Sequence, residues 1–322
     1  MFQRILVPLD GSSRAEQALP VAARLAHASG GTIVLLRVVS IPYEFVAYMT
    51  LELIPTQITI DAALEEARNY LKRTAEKSSL IGVQVETNVI LDQAAAAILS
   101  VVASHTIDLI VMHSHGYSGM TRWALGSVAE KVTHHAAAPV LLLHEGGSTF
   151  VRSHPHKGSL RVLVPIDGSA CAQTAIIPAA QFIAALSDSA QGMLHVTQVV
   201  TPFAPEPIGL QEAKQHINAI VESMCEELVV SPVANLKLPI TWSITFDDDV
   251  ASGIIRVAEN GEDAEETGVF GGYDMIAMAT HGRGALQRWL MGSITERVLH
   301  ATKLPLLIVR PSNMEDKPIS TL

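Results

Sequence analysis

A chain of 322 residues has room for about two domains, and with 48% hydrophobic and only 17% charged residues it can bury its elements on both faces, as helix-covered parallel sheets do. The formal net charge of −10 argues against general nucleic-acid binding, which calls for a basic excess, and no apolar run approaches the roughly 18 to 20 residues of a membrane span. Met1 to Leu9 leads straight into a short apolar run, so no signal peptide is expected, and two cysteines, Cys171 and Cys225, without a CxxC spacing suit a reducing, cytoplasmic compartment.

In chain order, Arg4 to Leu9 reads as a strand and Ser13 to Ser29 as a helix, with Leu19, Ala22, Ala23 and Ala26 on one face. Thr32 to Val39 is a second strand. Val46 to Ile60 is mostly apolar and ambiguous. It reads as cover for a ligand pocket, as part of an interface between copies, or as plain core. Asp61 to Ser78 is an amphipathic helix, Val83 to Leu91 a strand, Ala94 to Ser104 a helix and Asp108 to Met112 a strand. Val128 to His135 is a helix and Pro139 to Leu143 the last strand. Such alternation predicts a parallel sheet, and right-handed crossovers put helices on both of its faces.

The same unit then repeats. Ile5-Leu6-Val7-Pro8-Leu9-Asp10-Gly11-Ser12 returns as Val162-Leu163-Val164-Pro165-Ile166-Asp167-Gly168-Ser169, an offset of 157. His115-Gly116, Arg122-Trp123, Gly126-Ser127 and Pro139 return as His281-Gly282, Arg288-Trp289, Gly292-Ser293 and Pro305, an offset of 166. The boundaries expected are 1–145 for the first domain, 146–159 for a linker, 160–312 for the second domain and 313–322 for a tail. The linker is rich in Gly, Ser and His. Its His154 and His156 read as solvated rather than as metal ligands. The stretch Asn260 to Gly272 is an insertion in the second copy and reads as a surface loop. The last strands, Val140 to Leu143 and Leu306 to Val309, are apolar at every position. Either they lie inside their sheets, or they are edges that pair copy with copy and so avoid aggregation.

The loop after the fourth strand carries the most chemistry. Nine residues, 117 to 125, separate Gly116 from Gly126-Ser127, and nine, 283 to 291, separate Gly282 from Gly292-Ser293. Glycine lets backbone amides approach a phosphate and adopt positive φ. Gly-Ser then opens a helix, and Ser127 with Glu130, like Ser293 with Glu296, fits a capping box. The start of a helix is an anion site, so each serine is expected to cap the helix, to bond a phosphate, or both. Asp10 and Asp167 end the first strands and face the crevice where ligands of open α/β sheets bind, although Asp-Gly-Ser is also an ordinary turn sequence.

These motifs resemble the universal stress protein family, whose ATP-binding members carry G-x-x-G, nine residues, then G-[S/T]. The resemblance takes in both halves, from R-I-L-V-P-L-D-G-S and R-V-L-V-P-I-D-G-S to G-S-V-A-E-K-V-(x6)-P-V-L-L-L and G-S-I-T-E-R-V-(x6)-P-L-L-I-V. It implies two tandem doubly wound α/β domains of the adenine nucleotide alpha hydrolase-like class. Each would hold a five-stranded parallel sheet of order 3-2-1-4-5, and the two would pair with each other through the last strand. It implies ATP, or ADP or AMP, with Mg2+ where phosphates need neutralising. By position, Asp10 and Asp167 would contact the nucleoside, and the backbone of Val38 and Val199 the adenine. Gly116, Gly126 and Ser127 would line the phosphates in copy 1, and Gly282, Gly292 and Ser293 in copy 2. The chain departs from the pattern at the first glycine, which is His113 in copy 1 and Ala279 in copy 2. His115 and His281 read as structural loop residues. Arg122 and Arg288 either reach phosphates or stack on their neighbouring Trp.

Three functions remain open to such a chain: a nucleotide-dependent regulator of the stress response, a dimerising scaffold without nucleotide, or a slow ATPase. No Walker A motif and no repeated pair of base and nucleophile is present, which argues against fast phosphoryl transfer. Two full G-(x9)-G-S loops argue against the scaffold. The expected partners are an adenine nucleotide, the second domain of the same chain and, where two chains associate, a homodimer, with neither nucleic acid nor a membrane.

Overall fold

The computed structural model describes residues 2–40, 57–114, 125–144, 160–186, 192–202, 210–230, 238–261, 272–281 and 291–311. Copy 1 supplies β1 (Arg4–Leu9), β2 (Thr32–Val39), β3 (Gln84–Leu91), β4 (Leu109–His113) and β5 (Val140–Leu143). Copy 2 supplies β6 (Leu160–Pro165), β7 (Gly192–Val200), β8 (Ile240–Phe246), β9 (Met275–Ala279) and β10 (Leu306–Val309). All ten join one sheet of order β3-β2-β1-β4-β5-β10-β9-β6-β7-β8. Each half is parallel and has the 3-2-1-4-5 order that the resemblance implies. The halves meet where β5 and β10 pair antiparallel, Leu141 opposite Leu307 and Val140 opposite Ile308. The last strand is therefore the edge of its own half and internal to the whole. All four residues of each are buried.

Period-two alternation divides the apolar side chains between two layers. Ile5, Val7, Ile33, Leu35, Leu141 and Leu307 face one layer. There they meet α1 (Ala18–Ser29) and α2 (Gln57–Ala75) of copy 1, and α6 (Ile176–Leu186) and α7 (Leu210–Val230) of copy 2. Leu6, Val34, Leu36, Ile110, Leu142 and Leu306 face the other. That layer is closed by α3 (Ala94–Ser104) and α4 (Ser127–His135) in copy 1, and by α8 (Val250–Asn260) and α9 (Ser293–Ala301) in copy 2. One short helix, α5 (Ala170–Gln173), precedes α6. The first layer runs unbroken from copy to copy. Phe2 meets Phe182 edge to face, with ring centroids 6.4 Å apart, and the Arg24 guanidinium donates to the Leu186 carbonyl at 2.8 Å.

Two helices begin elsewhere than the sequence pattern indicates. The helix expected from Ser13 starts as α1 at Ala18, after a 3-10 turn over Ala15–Gln17. A side-chain turn takes up the donors before it: Asp10 Oδ1 accepts from the Ser12 N–H and hydroxyl, and Ser12 Oγ accepts from the Ala15 N–H. The helix expected from Asp61 starts at Gln57 and ends at Ala75. The ambiguous apolar stretch thus ends in its first turn, where Ile58 is exposed, and the remainder of that stretch lies outside the described residues.

Aspartates tie the strand starts together. Asp108 accepts the Gln3 and Arg4 N–H groups at 2.6 and 3.1 Å, and Asp274 accepts the Arg161 N–H at 2.8 Å in copy 2. Arg4 also makes a two-point contact with Glu86 on β3. At the helical end, Asp249 caps α8 through the Ser252 N–H at 2.8 Å and takes both terminal nitrogens of Arg297 on α9. The hydrogen bonds from Arg297 hold this carboxyl well below the usual carboxylate range.

Two outcomes follow. Leu141→Ala removes packing at the centre of the joint sheet and should cost about 2 to 5 kcal/mol of stability. Denaturant unfolding followed by two probes should still show one coincident transition, and two separated transitions would show that the halves fold independently. Because the folded Asp249 pKa is depressed, its pair with Arg297 contributes stability above the ordinary carboxylate pKa of about 4 and loses it as pH falls further. The stability gap between the parent and Arg297→Leu should be full at neutral pH and shrink steadily below about pH 4. A gap constant with pH would dissociate the pair from stability.

Candidate functional site

Strand β1 pairs in parallel with β2 on one side and β4 on the other, so the order in which strands are added reverses across it. The crevice beyond the C-terminal ends of such strands is where open α/β sheets hold ligands. A cavity of about 240 Å3 lies there in copy 1. Pro8 to Asp10 close β1, Leu36 to Val38 close β2, and Met112 to Ser114 close β4. Gly126 to Ala129 at the start of α4 complete the wall. Four of the residues singled out in the sequence, Asp10, Val38, Gly126 and Ser127, thus meet in one cavity. Asp167, Val199, Gly292 and Ser293 hold the matching places in copy 2, at the end of β6, in β7 and at the start of α9. Gly116 and Gly282 lie outside the described residues, as do His115, Arg122 and Arg288.

The Asp-Gly-Ser turn is built alike in both copies. Asp167 Oδ1 accepts from the Ser169 N–H at 2.9 Å and its hydroxyl at 2.6 Å, as Asp10 does from Ser12. Gly11 and Gly168 sit at φ of 87° and 84°, a region in which glycine carries no Cβ penalty. The turn and site readings of this motif coexist: Oδ1 holds the turn while Asp10 remains part of the cavity wall.

The loop after β4 is closed at its neck by the backbone. Ser114 N–H donates to the Leu143 carbonyl at 2.8 Å, and Gly126 N–H returns to the Ser114 carbonyl at 2.9 Å. In copy 2, Thr280 N–H donates to Val309 at 2.9 Å and Gly292 N–H to Thr280 at 2.7 Å. This closure corrects two expectations. Gly126 and Gly292 do not have positive φ: they are extended at −64° and −62°. Glycine is favoured instead by proximity, since a Cβ on Gly292 would stand 3.2 Å from the Thr280 carbonyl oxygen. Nor are Ser127 and Ser293 caps. The glycines occupy the N-cap position, where they offer no side chain, and the serines are the first helical residues. The box fails because it needs Ser at the cap and Glu three residues later, and the glycine anchored at the neck shifts that register by one.

The shift has a chemical consequence. The first intrahelical bonds run from Glu130 N–H to Gly126 and from Glu296 N–H to Gly292. The N–H groups of the preceding three residues have no intrahelical acceptor, and in copy 1 Ser127, Val128 and Ala129 all line the cavity. An uncapped helix start with its positive dipole end suits an anion. His113, which replaces the first glycine of the pattern, is 5% exposed and accommodated in the wall.

Sequence reasoning missed Arg37. It lies in the cavity wall, donates from Nη1 to the Leu9 carbonyl at 3.3 Å and places its guanidinium 5.9 Å from the Tyr70 ring centre. Tyr70 in turn donates to Glu16 at 3.0 Å, and burial together with the Glu16 charge pushes its phenol pKa up. Glu16 is also paired with Lys77. The signal available in the sequence was a lone charge inside the apolar run Thr32 to Val39, next to Val38. In copy 2 the same strand position is Gln198, since Pro8 pairs with Leu36 and Pro165 with Thr197. Gln198 is 4% exposed, and its Oε1 has no hydrogen-bond partner among the described residues.

Comparison with known proteins agrees with this architecture. The chain is similar to a universal stress protein of Mycolicibacterium smegmatis, 24% identical over 318 residues that span 95% of this chain and 97% of the relative. It is also similar to universal stress protein YxiE of Bacillus subtilis, 31% identical over 147 residues, 44% of this chain and 99% of the relative. A solved universal stress protein from Archaeoglobus fulgidus shares the fold, with a TM-score of 0.66 and 20% identity over 95% of this chain and 98% of that one. The model of the universal stress protein family matches twice in tandem, over residues 1–144 and 159–310, and the chain belongs to that family.

Proposed function

We propose that the chain is a nucleotide-dependent regulator of the stress response, acting in the cytoplasm, whose two domains each hold a purine nucleotide, ATP foremost. The observation that carries this reading is the cavity where the strand order reverses, with an apolar wall on one side and an uncapped helix start on the other. A nucleotide has the matching polarity, an apolar base and an anionic phosphate chain. Val38 and Val199 would meet the base through their backbone, and Asp10 and Asp167 the ribose. Gly126, Ser127, Gly292 and Ser293, with Gly116 and Gly282, would hold the phosphates. Mg2+ binds largely through phosphate oxygens and waters and would neutralise the chain of phosphates there. In this reading the domains divide at 145 and 160, as the sequence pattern indicates.

Ligand that binds only the folded state stabilises it. At 100 times the dissociation constant this amounts to about 2.7 kcal/mol for one site, so nucleotide-free protein should melt at a clearly higher temperature in Mg-ATP. An unchanged melting temperature at millimolar ATP would sink the proposal. The serines give a sharper check. An N-cap serine replaced by Ala loses about 0.5 to 2 kcal/mol, but Ser127 and Ser293 are not caps. Ser127→Ala and Ser293→Ala should therefore leave the melting temperature of the empty protein nearly unchanged and weaken ATP binding in calorimetry. Loss of stability with ATP affinity intact would mean that the serines serve only the helix.

A further inference from the structure

Arg37 and Gln198 occupy one and the same place in the two copies. Each precedes the valine proposed to meet the base, at the C-terminal end of the second strand of its half. In copy 1 the place lies in the cavity wall. Arg37 brings five N–H donors and no acceptor. One donor is engaged by the Leu9 carbonyl, and no carboxylate pairs with the guanidinium among the described residues. In copy 2 the place holds an amide that is almost wholly buried, with an acceptor oxygen lacking a partner among the described residues. A buried acceptor without a donor costs free energy until something supplies one. These two side chains discriminate purines in opposite senses. A guanidinium gives two parallel hydrogen bonds to guanine O6 and N7, both acceptors. A Gln amide accepts from the adenine N6 amino group and donates to N7.

We propose that Arg37 and Gln198 set the base preference of the two sites, so that copy 1 selects guanine nucleotides and copy 2 adenine nucleotides. This rests on reading the cavity as a nucleotide pocket and adds the base to it. Adenine offers Arg37 one acceptor and one N–H in conflict with it. Guanine offers Gln198 Oε1 a second acceptor where a donor is needed. The chain would then carry one nucleotide of each kind and report on both.

The test is calorimetric titration of the full chain with Mg-GTP and Mg-ATP, one copy being blocked at a time by Gly126→Val or Gly292→Val, with circular dichroism to verify the fold. With copy 2 blocked, GTP should bind at least about ten-fold more tightly than ATP, and with copy 1 blocked the order should reverse, as expected for one bidentate base contact. Arg37→Gln should turn the preference of copy 1 toward ATP, and Gln198→Arg that of copy 2 toward GTP. If a blocking variant fails to fold, the parent answers directly. GTP titrated into it with ATP held at a few times the dissociation constant of the tighter ATP site should bind as one equivalent, its apparent affinity lowered far less than competition for a single shared site requires. Equal affinity for both nucleotides at both sites, or a preference unmoved by Arg37→Gln and Gln198→Arg, overturns the base selection alone. Binding of neither nucleotide by the parent overturns the nucleotide reading and this proposal with it.

Discussion

The pairing of Leu141 with Leu307 is the contact on which the molecule depends. A strand that is apolar on both faces must be covered twice, and its backbone must be bonded along both edges. Within one half, β4 bonds β5 on one edge only. The other edge finds its partner in β10, which has the same requirement and meets it in the same contact. The duplication of the unit and the closure of the sheet thus have one cause. Because the pairing is antiparallel while each half is parallel, the C-terminal crevices of the halves open at opposite ends of the sheet. The two candidate sites cannot share a ligand. The pairing also occupies, within one chain, the edges by which single domains would join through the last strand. Association of two chains would have to use other surfaces, such as the outer strands β3 and β8.

The neck of the β4 loop turns that frame into a site. Two backbone bonds at Ser114 and two at Thr280 anchor the loop to the last strand, so the same strand that joins the halves also fixes where α4 and α9 begin. An ordinary N-cap would satisfy an orphan N–H with a side chain. Here Gly126 and Gly292 take the cap position without offering one, and the donors of the first turn remain directed outward from the helix start. A helix end left open in this way is stabilised by an anion rather than by its own sequence.

Most of the frame was legible because it rests on short-range rules. Apolar runs located the five strands of copy 1 within a residue or so, and all-apolar Val140–Leu143 announced that it needed a partner. The helix starts were less legible because capping is decided by hydrogen bonds that sequence does not display. Ser127 with Glu130 satisfies the capping-box spacing, yet Gly126 is pinned to the Ser114 carbonyl and moves the register by one. The same holds at Ser13, where the Asp10–Ser12 turn delays α1 to Ala18. Arg37 was hidden for a different reason. A single charge in a strand carries no spacing signal, and only the register that sets it beside Leu9 and above Tyr70 shows that it belongs to the cavity wall.

Differences between the copies fall where the backbone does not constrain them. The paired turns at Asp10 and Asp167, the necks at Ser114 and Thr280, and the glycines at 126 and 292 repeat almost bond for bond, since each is held by main-chain contacts that admit few side chains. Positions in the wall diverge: Arg37 against Gln198, His113 against Ala279, and Ala129 against Thr295, whose hydroxyl bonds the Ala279 carbonyl at 2.9 Å. Divergence also reaches the opposite end of the sheet. The Arg4–Glu86 pair of copy 1 gives way in copy 2 to Arg161 over Tyr273 at 4.8 Å. There His195 stands in the place of Val34, bonded to Thr241 and Ser243. The exchange at His195 is one of packing, since both ring nitrogens found partners within the protein. The exchange at position 198 differs in kind, because the Gln198 acceptor found none among the described residues. Where a duplicated frame replaces a cation with a buried acceptor that is unpartnered among the described residues, a bound base is the partner that the proposed selection supplies. That distinction separates a change in the scaffold from a change in what the scaffold holds.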